Sequence, residues 1–126
     1  KQKTAYEIPK RDWSSDVCSS DLVSVDVKGK NTIDSIWVEF KNVRGNKGWL
    51  YGKANYIAFD MPELNGFVMV GRNELKNRCE DIVEKVFVSR NEAIRKLYTR
   101  IDRMDVIAQI QLKDIKDLKS YKVISY

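Results

Sequence analysis

Alternation of apolar and polar residues predicts three strands that are each buried on one face. The pattern has a period of two in residues 23–28 (VSVDVK), 36–41 (IWVEFK) and 106–112 (VIAQIQL). Two shorter apolar runs, YIAFDM at 56–61 and FVMVG at 67–71, are separated by turn residues. These two runs predict a hairpin of buried strands at the centre of a sheet.

The linker GKNTIDS joins the first two alternating strands and contains residues that favour turns. The two strands are therefore predicted to form a hairpin whose apolar faces point toward one core. On this prediction four charged side chains share the opposite face, which lies in solvent. They are Asp26, Lys28, Glu39 and Lys41.

Apolar residues at helical spacing predict two helices in the second half of the chain. The first covers residues 74–86 (ELKNRCEDIVEKV), with Asn73 as its N-cap. The second follows a capping box formed by Ser89 and Glu92 and continues to about residue 101. Its inward face is expected to carry Ala93, Ile94, Leu97, Tyr98 and Ile101.

Shorter elements complete the predicted fold. A short helix is expected around residues 48–55, a helical turn over 113–121 and an edge strand over 122–125. The pattern as a whole predicts a single α/β (α+β) domain over residues 1–126, in which helices pack on one mixed sheet.

Residues 11–22 (RDWSSDVCSSDL) interrupt this pattern. Their Ser and Asp side chains favour a surface loop, and no apolar period runs through them. From Asp12 to Leu22 the segment also resembles the translation of a widely used sequencing-library adapter. We therefore interpret residues 11–22 as adapter-derived and leave them out of fold reasoning. On this interpretation, coding sequence that once preceded Val23 is missing.

The amino-acid composition limits the partners and the kinds of catalysis that the chain could have. The net charge is +5, and it becomes +7 without residues 11–22, which carry Arg11 against three aspartates. Such a charge suits a polyanionic partner such as DNA. The chain has no His, which excludes imidazole catalysis and Cys/His zinc sites. Cys79 is the one cysteine outside the segment and no apolar run could span a membrane, so we expect a cytoplasmic protein without a membrane partner.

Three residues on the predicted hairpin could act together in catalysis: Asp26, Glu39 and Lys41. Two nearby carboxylates repel each other unless a cation lies between them. Mg²⁺ is commonly held by one or two carboxylates and several waters. A metal bound by Asp26 and Glu39 would lower the pKa of a bound water, and Lys41 would orient that water beside a phosphate.

This D-x(n)-[DE]-x-K arrangement on two strands resembles the signature of the PD-(D/E)XK nuclease superfamily. The segment VDVKGK…IWVEFKNVRGNKGWLYGKANYIAF is also similar to uncharacterised phage and bacterial proteins of that superfamily. The resemblance implies a restriction-endonuclease-like fold and a Mg²⁺-dependent endonuclease acting on duplex or branched DNA. It implies that Asp26 and Glu39 bind the metal and that Lys41 is the catalytic lysine. In a second register Asp26-Val27-Lys28 forms the D-x-K triplet, which makes Lys28 the catalytic lysine.

Basic residues outside these triplets are candidates for contact with a DNA backbone. They are Arg44, Lys47, Lys53, Arg100 and Arg103. Trp49 and Tyr51 lie among the first three, and they either stack on unpaired bases or anchor the core.

Two other functions stay open at this point. Charged side chains on the solvent face of a hairpin can stabilise a sheet without any chemistry. The chain is then either a non-catalytic nucleic-acid-binding domain or a phage interaction module without a nucleic-acid role. A homodimer is compatible with each alternative.

Overall fold

The computed structural model describes residues 6–9, 22–29, 31, 32 and 34–126, and these residues form two sheets and one α-helix. The strands are β1 (Tyr6–Pro9), β2 (Leu22–Lys28), β3 (Ser35–Lys41), β4 (Tyr56–Met61), β5 (Gly66–Gly71), β6 (Glu84–Phe87), β7 (Lys96–Tyr98), β8 (Val106–Gln111) and β9 (Lys122–Ser125). The helix α1 covers Arg72–Ile82. The proposed adapter segment lies outside the described residues, except for Leu22 at the start of β2.

Five strands form one mixed sheet in the order β1-β2-β4-β5-β9. The central strand β4 is parallel to β2 and antiparallel to β5, so the hairpin predicted from the two apolar runs is confirmed. The predicted edge strand is confirmed as well, because β9 pairs with β5. β4 is apolar throughout most of its length because both of its faces are covered. Phe59 belongs to one core cluster and Ala58 to another.

The other four strands form a second sheet in the order β3-β8-β7-β6, so the prediction of a single mixed sheet is wrong. β3 is antiparallel to β8, so the predicted hairpin between residues 23–28 and 36–41 is wrong. The physical reason is that β2 is covered on both faces, as parallel strands usually are. Its valines pack against β4 and β5, and Lys28 on its other face lies beneath the ring of Trp49. Lys28 is only 8% exposed, which contradicts the expected solvent face.

The second predicted helix is also wrong. A single 3-10 turn covers Arg90–Glu92, and β7 follows. Arg95 has a φ of 58°, a left-handed value that a continuing α-helix does not allow. Leu97 instead pairs with β8, while Ile94 is 44% exposed. The first helix forms, but its N-cap is Gly71 and not the predicted Asn73, and it ends at Ile82, after which the chain continues as β6.

Both sheets and α1 contribute to one large core. Ile36 and Ile110 come from the second sheet, Ile57 and Phe59 from the first, and Cys79 from the helix. Burial raises the pKa of Cys79 to about 12, so its thiol stays protonated and serves as packing. Within the described ranges no helix has both the length and the apolar composition that crossing a bilayer requires.

Candidate functional site

Three of the four predicted catalytic residues come together around the ammonium group of Lys28. Asp26 and Lys28 are two residues apart on β2 and therefore share a face. Nζ of Lys28 lies 2.9 Å from Oδ2 of Asp26, and these side chains are 10% and 18% exposed. The carboxylate of Glu39, on the other sheet, is close enough to raise the pKa of Lys28. The cluster therefore joins the two sheets.

The ammonium of Lys28 is held chiefly by its contact with Asp26. Nζ is buried, and apart from this 2.9 Å contact it has no polar partner within bonding distance among the described residues. The ring centroid of Trp49 lies 4.8 Å from Nζ, a cation–π contact. Burial lowers the pKa of Lys28, and the charges of Asp26 and Glu39 offset only part of this effect.

Glu39 is half-buried, and this burial raises the pKa of its carboxyl group above the ordinary value. The backbone N–H of Trp49 donates a hydrogen bond to Oε2 of Glu39 at 3.2 Å and opposes the shift, as does the charge of Lys28. Gly48 permits this contact. A Cβ at Gly48 would lie 2.4 Å from the backbone oxygen of Glu39.

A cleft of about 440 Å³ opens beside the cluster, and we call it the tryptophan cleft. Its lining consists of Lys28, Gly29, Trp37, Val38, Glu39, Trp49, Arg90, Tyr98, Arg100 and Ile107. Trp37 packs against Tyr98 with 6.1 Å between ring centroids, and Trp49 stands edge-on to Phe59 at 6.0 Å. Packing thus fixes both indole rings while each stays partly exposed.

The two arginines of the cleft differ in whether an acid neutralises them. Nε of Arg100 donates to Oδ2 of Asp105 at 2.6 Å, and Asp105 is fully buried. Arg90 is exposed, and its guanidinium has neither an ion-pair nor a hydrogen-bond partner in the described part of the chain. Arg90 can therefore offer all five of its N–H donors to a ligand.

A second cavity of about 280 Å³, the lysine pocket, is lined by basic and apolar side chains. The lining is Phe40, Lys41, Gly45, Lys47, Tyr51, Lys85, Leu97 and Val106. No acidic residue belongs to the described part of this lining. Nζ of Lys47 lies 6.0 Å from the centroid of the Tyr51 ring, and Nζ of Lys85 lies 4.9 Å from that of Phe40. The pocket therefore presents three lysines beside aromatic rings, and the hydroxyl of Tyr51 donates a hydrogen bond to the nearby carboxylate of Glu80 at 2.8 Å.

The lysine pocket adjoins the tryptophan cleft. The 3-10 turn Trp49–Tyr51 has Trp49 in the cleft and Tyr51 in the pocket. On β3, Glu39 lines the cleft and Lys41 lines the pocket, because the pairing register with β8 shifts between them. The predicted triplet Glu39-Phe40-Lys41 is thus divided between two cavities.

A third cavity of about 410 Å³ shares Trp37 and Arg90 with the cleft. We call it the amide pocket, since its other lining residues are neutral and polar: Asn31, Thr32, Ser35, Asn91 and Gln109. Nε2 of Gln109 donates to Oγ of Ser35 at 2.8 Å, and Oγ of Ser35 lies 3.3 Å from Oγ1 of Thr32. These contacts fix the side chains on one wall of the pocket.

The predicted Mg²⁺ site does not fit this arrangement well. Asp26 is already neutralised by Lys28, so a divalent ion would have to displace a buried ammonium and remain close to it. Among the residues with described side chains, no group of three or more Asp, Glu or Cys residues is placed to hold a metal. An internal ammonium therefore fits the two carboxylates better than a metal ion does.

The five predicted DNA-contact residues do not lie together in the structure. Arg100 lines the tryptophan cleft, although Asp105 neutralises it, and Lys47 lines the lysine pocket. Arg44, Lys53 and Arg103 are exposed and line none of the three cavities.

Sequence reasoning missed four residues that give the tryptophan cleft and the lysine pocket their aromatic and basic character: Trp37, Lys85, Arg90 and Tyr98. Trp37 did carry a signal, because a large aromatic ring occupied a polar position in the alternation of β3. The other three lie in stretches that were predicted to be helical, where no local pattern shows which residues will meet. Comparison of the chain with family models, with curated proteins and with solved structures found no match.

Proposed function

We propose that the chain binds single-stranded nucleic acid, with unpaired bases in the tryptophan cleft and the phosphate backbone along the lysine pocket. The observation that carries this proposal is the adjacency of the two cavities across the turn Trp49–Tyr51. An aromatic surface beside a basic surface is the combination that such proteins use.

The aromatic part of the proposal rests on two indole rings that packing already holds in place. A base that stacks on Trp37 or Trp49 gains about 1–3 kcal/mol, and little side-chain entropy is lost because the rings are fixed. In a duplex the base faces are covered by their neighbours. Stacking in the cleft therefore favours single strands over duplexes.

The electrostatic part rests on Lys41, Lys47 and Lys85. None of them forms an ion pair among the described residues, whereas Lys28, Arg78, Arg95 and Arg100 each have an aspartate partner. Free lysines release counterions from a phosphate backbone when they bind it. The lysine pocket is thus the part of the site that favours a polyanion.

Fluorescence anisotropy with a labelled twelve-nucleotide poly-dT strand and the matching duplex tests this function. We expect the single strand to bind more tightly than the duplex. Trp37→Ala should weaken single-strand binding by at least about fivefold, which corresponds to the lower end of the stacking energy. Tyr126→Ala, which removes an exposed ring from outside all three cavities, is the matched control. Duplex binding as tight as single-strand binding, or an unaffected Trp37→Ala variant, would contradict the proposal.

A second proposal is that the chain is a divergent PD-(D/E)XK nuclease with a restriction-endonuclease-like ancestry, which hydrolyses DNA with Mg²⁺. The proximity of Asp26, Lys28 and Glu39 favours it, because these are the residue types of the superfamily motif with Lys28 in place of Lys41. Cleavage of plasmid and branched DNA with Mg²⁺ tests it. Cleavage should then be lost in Lys28→Ala and kept in Lys41→Ala. Absence of Mg²⁺-dependent cleavage by the parent chain would leave the binding function alone.

A further inference from the structure

We propose that the amide pocket recognises guanine in the bound strand. This inference rests on the proposed single-strand binding and specifies which base the site prefers. It starts from the two residues, Trp37 and Arg90, that line both the tryptophan cleft and the amide pocket. A base stacked on Trp37 therefore has its edge beside the polar groups of the pocket.

The chemistry of the amide pocket suits a base edge better than a phosphate. Among the described lining residues Arg90 is the one that is charged, and all the others except Trp37 offer neutral hydroxyl and amide groups. A phosphate is bound best where several positive charges converge, as they do in the lysine pocket. A base edge is recognised by donors and acceptors in a defined pattern, which hydroxyl and amide groups supply.

Arg90 selects among the bases. Its guanidinium is uncompensated within the described residues, and its parallel N–H donors match the two acceptors O6 and N7 of guanine. Adenine presents an acceptor and a donor on the same edge, so one N–H of Arg90 would meet an amino group. Cytosine presents an amino donor there as well. Guanine is thus the base that satisfies both donors.

Gln109 complements this choice. Its Nε2 is committed to Oγ of Ser35 at 2.8 Å, so its Oε1 is the atom left to accept a hydrogen bond. Guanine carries N1–H and N2–H donors beside O6, whereas adenine lacks a donor at N1. A single base can therefore receive from Arg90 and donate to Gln109.

The test uses the full chain and twelve-nucleotide dT strands in which one central base is dG, dA, dC or 7-deaza-dG. We expect the dG strand to bind on the order of tenfold more tightly than the all-T strand. The 7-deaza-dG strand, which lacks N7, should lose most of that gain. Arg90→Lys keeps the positive charge but removes the paired donors. It should therefore bind the dG strand and the all-T strand with nearly equal affinity.

Arg44→Lys is the control, because Arg44 is exposed and lines none of the three cavities. Equal affinity for all five strands would overturn the guanine proposal and leave single-strand binding in place. A dG preference that persists in Arg90→Lys, or with 7-deaza-dG, would also overturn it. Absence of binding to every strand would remove the guanine proposal together with the proposed function.

Discussion

The ammonium group of Lys28 shows how burial decides the role of a charged residue. In the sequence it occupies a polar position of an alternating strand, which predicts a solvent-facing lysine. In the fold the side chain is 10% exposed and depends on the nearby carboxylates of Asp26 and Glu39. Removing a charge from water is costly, and the attraction between Lys28 and Asp26 offsets this cost only while both are present. The alternation therefore predicted the face of Lys28 correctly and its environment wrongly.

Lys28→Met is expected to destabilise the fold by about 2 kcal/mol, because it leaves Asp26 largely buried without its counter-charge. The double variant Asp26→Asn with Lys28→Met should recover much of this loss, since neither charge then remains. Urea unfolding of the parent, the two single variants and the double variant measures the coupling. Strictly additive losses would mean that the two side chains do not stabilise each other.

Glu39 should make stability depend on pH in a defined direction. Burial raises its pKa in the folded state, so the unfolded chain loses this proton first as the pH rises. The ionised carboxylate therefore destabilises the fold at neutral pH, and this penalty disappears when the pH falls below the ordinary pKa of 4.5. Glu39→Gln removes the titration but keeps an oxygen that can accept from the N–H of Trp49.

We accordingly expect Glu39→Gln to be more stable than the parent at pH 7 and nearly equal to it at pH 4. Urea midpoints of both chains at the two pH values check this, and the comparison cancels the other titrating groups. A stability gain of the same size at both pH values would contradict the proposed cause.

Among the elements, β3 shows best what a sequence pattern can specify. Its alternation places Ile36 and Val38 in the core and Trp37 and Glu39 on the other face, as predicted. Alternation assigns residues to faces, but it does not specify which strand lies alongside. The pairing with β8 depends on contacts about seventy residues away in sequence. The register shift before Lys41 is likewise set by this partner, which is why the predicted site was divided.

The segment after Ser89 shows the opposite case, in which a true local signal was misread. Ser89 and Glu92 do interact, with 3.0 Å between Oγ and Oε1, but they accompany only a 3-10 turn. The left-handed backbone of Arg95 and the pairing of Leu97 with β8 then direct the chain into a strand. Helical spacing was present without a helix, because tertiary pairing overrides a weak local preference.

The turn at Trp49 approaches β3 closely at Gly48, and a substitution there tests whether this close approach is required. A Cβ there would lie 2.4 Å from the backbone oxygen of Glu39, and the backbone cannot easily move away. We expect Gly48→Ala to destabilise the fold by about 1–3 kcal/mol and to weaken single-strand binding, since Trp49 would be displaced. Gly52→Ala, whose Cβ would meet its nearest backbone atom at 3.2 Å, is the milder control. Equal stability of the two variants in urea would show that the close approach is not required.

At the scale of the whole molecule, the positions of the unpaired positive charges matter more for binding a polyanion than the net charge does. The net charge of +5 could be read from the sequence, but the sequence did not show which basic residues form ion pairs with acidic ones. Folding neutralises Lys28, Arg78, Arg95 and Arg100 with aspartates, and leaves the three lysines of the lysine pocket without acidic partners among the described residues. These three lysines lie together in one pocket beside the aromatic cleft.

This grouping of three lysines predicts how the affinity for single-stranded DNA should change with salt concentration. If Lys41, Lys47 and Lys85 contact phosphates, replacing all three with Ala should reduce the slope of log K against log[salt] by about 2, since each phosphate contact on a single strand contributes about 0.7. Stacking is insensitive to salt, so the variant should approach the parent in affinity as the salt concentration rises.

A second triple variant with Ala at Lys113, Lys116 and Lys119 has the same net charge, and these exposed residues line none of the three cavities. Its slope should stay close to that of the parent if location determines binding. Equal reductions in the two triple variants would instead mean that only total charge matters, because non-specific attraction does not depend on where the lysines lie. The comparison therefore separates a built polyanion site from a merely basic surface.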